Sequence, residues 1–269
     1  MPTLSVAISP CPNDVIIFGP WLLGRVRLPG HRITCAFEDV ETLNEAAMAG
    51  TYDVVKISAA VAARIADTYT VLSSGAAFGF GAGPKLVVRQ DFHGRPSAVA
   101  VPGLHTTAAT LLRAALADDD PNLPGPDAPF VPVRYDRIIP TLAAGHVEAG
   151  LLIHESALAA TEHGLRIVLD LGRWWQERVP DAPIPLGVIA ARRSLGRETV
   201  TAIGETIRRS LLTTRADPGL THPLARLFAR EKDPAIIDAH IRAYVGGLSL
   251  DMGSAGVTAL KILTSVSQR

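Results

Sequence analysis

Two stretches of this chain repeat one plan, and that repetition limits the folds open to it. Leu43 to Gly50 has a helical pattern stopped by glycine and leads through Asp53 into the apolar run Val54–Ser58. Pro140 to Gly145 does the same and leads through Glu148 into Gly150–Ser156. A second echo links the strand 4–9 and its helix to the strand 98–101, the turn Pro102–Thr107 and the helix from Ala108. Short apolar strands alternating with helices predict an α/β fold with largely parallel sheets. Strands are expected near 4–9, 32–38, 53–57, 70–74, 98–101, 130–135 and 149–153, and helices near 14–24, 41–49, 58–66, 106–117 and 136–144. The echoes imply two similar α/β lobes with a cleft between them. Residues 1–90 begin the first lobe, 91–190 form the second, and 191–269 return to the first as a helical carboxyl terminus. Strand-like segments near 85–89 and 186–191 are expected to cross between lobes. The glycine-rich stretch 75–84 leads through Pro84 into a strand rather than a helix, so it predicts a flexible crossing segment and not a dinucleotide-binding turn.

At 269 residues, 48% of them hydrophobic, the chain can bury a large core as one big domain or two lobes. Its 26 basic and 26 acidic residues balance, and no basic run or basic amphipathic helix stands out. Neither a nucleic-acid partner nor a membrane surface is expected, which leaves a small molecule as the partner. No charged segment precedes an apolar leader, and no apolar stretch approaches the roughly 20 residues of a spanning helix, so a cytoplasmic location is expected. Cys11 and Cys35 lack metal-ligand spacing and disulfide density and read as buried thiols, with no metal site. Trp174 and Trp175 read as packing rather than as an aromatic clamp.

In open α/β sheets a ligand sits outside the carboxyl ends of strands, so the chemistry is sought there. Four such ends carry polar groups: Ser9 to Asp14, Lys56 to Ser58, His105 to Thr107, and His154 to Ser156. In the first, Pro10 and Pro12 stiffen the turn and Asn13 or Asp14 is suited to cap the next helix; the segment reads equally as a capped turn or as a ligand site. Lys56 is one of only four lysines among the 26 basic residues. It either contacts a ligand or pairs with an acid such as Glu38 or Asp39. Thr106 and Thr107 begin a helix, where free N–H groups favour an anion, and Thr106 also reads as a plain cap. His154 is either a structural histidine at a strand end or a general base near neutral pH.

Six motifs in order add a resemblance: Ser9-Pro10-Cys11-Pro12-Asn13-Asp14, Glu38–Asn44, Lys56-Ile57-Ser58, Val101–Thr107, Arg134–Ile138 and Ile153-His154-Glu155-Ser156. Together they resemble the 1,4-dihydroxy-6-naphthoate synthase family of the futalosine route to menaquinone, from about residue 5 to about residue 255. The resemblance implies a periplasmic-binding-protein type II fold used as a cytoplasmic lyase. It further implies that cyclic dehypoxanthine futalosine is converted to 1,4-dihydroxy-6-naphthoate without metal or organic cofactor. It places the catalytic base on His154 and substrate contacts on Lys56, Ile57, Ser58, Thr106 and Thr107, with Ser9, Asn13 and Asp14 in the first turn. Val15 stands where the family usually has threonine, and the 118–129 loop looks longer than usual. Glu155, adjacent to His154, is expected to face away from it on a strand, as a helix cap or in an ion pair. A related chorismate dehydratase and a non-catalytic solute-binding protein are the alternatives on the same fold, the first matching the motifs less well and the second normally carrying an export signal.

Overall fold

A computed structural model describes residues 1–266, and it places two mixed sheets side by side. The first holds β1 (Thr3–Ile8), β2 (Arg32–Phe37), β3 (Val54–Ser58), β4 (Tyr69–Val71), β5 (Ala77–Gly79) and β11 (Ile184–Arg192). Its order is β2-β1-β3-β11-β4, with β5 also on β11. The second holds β6 (Lys85–Arg89), β7 (Val99–Val101), β8 (Phe130–Pro132), β9 (Ala149–Leu152) and β10 (Leu165–Asp170), in the order β10-β6-β9-β7-β8. Each sheet is therefore three parallel strands followed by antiparallel ones: β2, β1 and β3 with β11, and β8, β7 and β9 with β6. The echo read from the sequence is this correspondence, β1 with β7 and β3 with β9. The expectation of largely parallel sheets holds only for those triplets, because the strands next to the crossings enter antiparallel.

β6 lies wholly in the second sheet and β11 wholly in the first, so the chain changes lobes in the loops between β5 and β6 and before β11. The boundary at 90 thus falls one strand later than the first crossing, and that at 190 falls inside β11 rather than before it. The glycine-rich segment is packed rather than flexible: β5 pairs with β11, and a Cβ on Gly83 would stand 2.7 Å from the backbone nitrogen of Gly172. The strand and helix expected at 70–74 and 58–66 are the shorter β4 and a 3-10 segment, Ala59–Ile65. The strand expected at 130–135 stops at Pro132.

Helices α1 (Pro12–Leu22), α2 (Val40–Met48), α6 (Arg197–Ala216), α7 (His222–Phe228), α8 (Pro234–Tyr244) and α9 (Gly247–Leu250) belong to the first lobe, and α3 (Thr107–Leu116), α4 (Ile138–Ala143) and α5 (Leu171–Arg178) to the second. β3, the sequence VVKIS, is buried throughout, as a strand covered on both faces must be. Ile8, Ile17, Phe18, Val54, Ile189, Ile207 and Leu211 knit the first-lobe core from β1, α1, β3, β11 and α6. Val15 is part of that core and not of the cleft. The last helix, α10 (Gly253–Val266), serves both lobes: Ala259 packs with β3 and β11, whereas Leu263 packs with Leu86, Trp174 and Trp175. Trp175 Nε1 donates to Ala182 O at 3.0 Å, consistent with the packing role expected of it.

Candidate functional site

Between the lobes lies a cavity of about 720 Å³, counting the solvent space at its mouth, and the four polar strand ends named from sequence meet on it. Ser9, Asn13, Asp14, Lys56, Ile57, Ser58, Thr106, Thr107 and His154 all line its wall. The Ser9–Asp14 turn forms the floor. α1 starts at Pro12 with Cys11 as its N-cap, so Asn13 and Asp14 sit inside the first turn and do not cap it. Asp14, fully buried, accepts from Ser9 N–H at 3.1 Å and from Ser9 Oγ–H at 2.8 Å, and its other oxygen pairs with Lys56 Nζ at 2.9 Å. Lys56 is thus paired, but with Asp14 and not with Glu38 or Asp39. Sheet order is the reason, since residues after β2 are separated from β3 by β1, whereas Asp14 follows β1 directly. Asp39 instead caps α2, accepting Glu41 N–H at 3.1 Å. A Cβ on Gly187 would stand 2.8 Å from Lys56 Cε, so β11 approaches the lysine closely only because it has glycine there. Cys11 also lines the cavity; burial above all pushes its thiol up to about 12, which keeps it protonated and un-nucleophilic.

At the second-lobe wall, both threonine hydroxyls are engaged within the protein. Thr106 Oγ accepts Ala109 N–H at 3.1 Å as the N-cap of α3 and donates to Gly103 O at 2.9 Å. Thr107 Oγ donates to Leu186 O at 2.9 Å and accepts Ala60 N–H at 3.2 Å, bridging the lobes. What this helix start can offer an anion is therefore the N–H groups of Thr107 and Ala108, which have no intrahelical partner. Ser58 is likewise held, accepting Asn44 Nδ2–H at 3.0 Å and donating its own N–H to Asn44 Oδ1 at 2.8 Å.

His154 follows β9 but does not continue it. It opens a 3-10 turn, His154–Ala157, with φ of 56°, a left-handed conformation that a non-glycine residue adopts at a cost and that clusters at functional sites. The turn also removes the strand alternation expected to turn Glu155 away. Glu155 is buried and accepts the N–H of Arg230, in the loop between α7 and α8, at 2.9 Å. It is thus neither a helix cap nor an ion-paired acid but a link to the other lobe. Burial opposes its ionisation, yet the neighbouring His240 and His154 hold its carboxyl below the ordinary range. The His154 ring lies edge-on between Tyr135, with centroids 5.0 Å apart, and His240, 6.1 Å away. Burial pulls its pKa below the usual histidine value despite the opposing carboxylates of Glu155, Asp14 and Asp39. The imidazole is therefore neutral at pH 7, the form that can take a proton.

His240 and Tyr244 are cavity residues that the sequence reading passed over. Ile237, His240, Ile241 and Tyr244 form the buried face of α8, so the signal was one histidine within an apolar helical stripe. His105, by contrast, is hydrogen-bonded to Arg64 at 3.0 Å and is not on the cavity wall.

A family model for menaquinone biosynthesis matches residues 4–269. A 1,4-dihydroxy-6-naphthoate synthase from Thermus thermophilus is 43% identical over 263 residues, covering 97% of this chain and 92% of the relative. One of the same name from Streptomyces coelicolor is 38% identical, covering 96% and 90%. Among solved structures, a protein from Archaeoglobus fulgidus superposes with a TM-score of 0.87 at 33% identity over 99% of this chain and 97% of that one. A Candida albicans protein with the generic periplasmic binding protein fold gives 0.75 at 11% identity, over 100% and 90%. The alkanesulfonate-binding protein of Xanthomonas axonopodis pv. citri gives 0.70 at 15% identity, over 99% and 93%. The likeness to these last two establishes the periplasmic-binding-protein fold.

Proposed function

We propose, for a chain that belongs to the menaquinone-biosynthesis family, that it is a cytoplasmic lyase converting cyclic dehypoxanthine futalosine to 1,4-dihydroxy-6-naphthoate with His154 as general base. The observation that carries this reading is His154 itself: a neutral imidazole on the cleft wall, held edge-on between two aromatic rings on a strained turn. Removing a proton beside a carbonyl and breaking a carbon–carbon or carbon–oxygen bond calls for a base of that kind. The substrate carboxylate would lie at the start of α3, on the N–H groups of Thr107 and Ala108, where the helix dipole favours it. Lys56 and Asp14, already paired, would shape and polarise the floor rather than exchange protons. No metal or organic cofactor enters this scheme.

Pure protein incubated with the cyclic intermediate should release the naphthoate, detected by mass. Absence of product from the wild type would remove this activity. Product formed at the wild-type rate by His154→Gln would remove the base from this residue.

A further inference from the structure

One wall of the cavity takes no part in the chemistry above. His240 is 1% exposed and Asn13 5% exposed, and both line the cavity. Asn13 Nδ2 lies 3.4 Å from His240 Nε2. The remaining polar atom of each, Asn13 Oδ1 and His240 Nδ1, is buried with no protein partner among the described residues. Tyr244 stands beside them, its ring 5.0 Å from that of His240, and no described residue hydrogen-bonds its hydroxyl. Native interiors rarely leave buried polar atoms unpaired, and a pair of them in a ligand cavity points to a ligand that satisfies them.

We propose that Asn13, His240 and Tyr244 form a second binding subsite, for a neutral hydroxyl-bearing ring, on the first lobe opposite the anion-binding start of α3. It rests on the substrate reading above, whose polyol-like ring supplies the hydroxyls. The charges nearby favour a neutral group over an anion: Asp14, the next residue along α1, is balanced by Lys56, while Glu155 is the largest charge acting on His240. Burial brings the His240 pKa down to about 4, so the ring is uncharged; its Nε2 accepts the Asn13 Nδ2–H, which leaves Nδ1–H as its donor to a ligand. A hydroxyl both donates and accepts, and so can satisfy the acceptor Asn13 Oδ1 and the donor His240 Nδ1–H.

The test titrates the turnover-deficient His154→Gln protein and its His240→Phe derivative calorimetrically with two ligands: the naphthoate product, which retains the carboxylate without the polyol-like ring, and the cyclic intermediate, which has both. Phenylalanine keeps an aromatic ring beside Tyr244. Product affinity should change by less than about twofold, while affinity for the intermediate should fall about tenfold, as expected for the loss of a hydrogen bond. Equal losses for the two ligands, or none for the intermediate, would overturn the subsite. If His240→Phe loses its thermal transition, Asn13→Ala in the same paired titration must show the same discrimination, and its failure to do so overturns the subsite equally. Binding of neither ligand by the His154→Gln protein overturns the substrate reading and the subsite together, an outcome distinct from binding both without discrimination.

Discussion

Replacing Lys56 by methionine leaves a similar volume and removes the partner of a carboxylate that has no access to water. Asp14 is 0% exposed, and its pair with Lys56 spans 2.9 Å. Removing one member of a buried pair costs about 3–5 kcal/mol because the survivor is left uncompensated. Here Ser9 still supplies an N–H and a hydroxyl to the same carboxylate, so the lower end, about 3 kcal/mol, is expected. For a chain of this size that corresponds to a fall in Tm of roughly 6–12 °C. Lys56→Met combined with Asp14→Asn removes the stranded charge while keeping an acceptor for Ser9, and should recover more than half of the loss. Urea denaturation and thermal melting of the two single variants and the double variant measure both effects. A Lys56→Met protein within about 1 kcal/mol of wild type, or a double variant whose loss is the sum of the singles, would show that the pair is not what holds this floor.

His154→Gln should lower single-turnover rate by about 10²–10⁴-fold with substrate affinity nearly unchanged, and wild-type-like turnover would send the base role elsewhere. Because burial lowers the His154 pKa, the wild-type rate should rise with pH to a plateau whose midpoint lies below the ordinary 6.5 or so; a midpoint above that value contradicts the enclosed ring. Thr107→Val keeps the N–H and should alter product affinity little, whereas Thr107→Pro removes it at N1, where proline is tolerated after the extended Thr106, and should cost a further tenfold or so in calorimetry. If the two variants bind alike, the carboxylate lies elsewhere. Gly83→Ala drives a methyl group against Gly172 and should destabilise by about 1–3 kcal/mol in urea titrations; a neutral result would mean the crossing segment yields easily.

Much of the site was legible because its residues are local in sequence. A strand end followed by a helix start is written in a few consecutive residues, and Ser9–Asp14, Lys56–Ser58, Thr106–Thr107 and His154 all lie on the cavity wall. What the sequence concealed depends on sheet order. The partner of Lys56 could not be chosen between acids after β2 and the acid after β1 without knowing that β1 lies between β2 and β3. The antiparallel entry of β6 and β11 was hidden for the same reason, since an apolar run does not state its direction. His240 was missed because a single polar residue in an apolar helical stripe looks like core until the facing lobe supplies His154. The engagement of the Thr107 hydroxyl was hidden because the groups that occupy it, Leu186 O and Ala60 N–H, come from distant positions in the chain.

The hydrogen bond from Arg230 to Glu155 ties the peptide next to the imidazole to the opposite lobe. If the lobes part, the turn that carries His154 loses this anchor, and with His154 as the base an open molecule would be a blunt one. Ligands too small to hold both halves together would occupy the cleft without reacting, and selectivity would be written in turnover more than in affinity. Fragments of the substrate are thus expected to act as inhibitors.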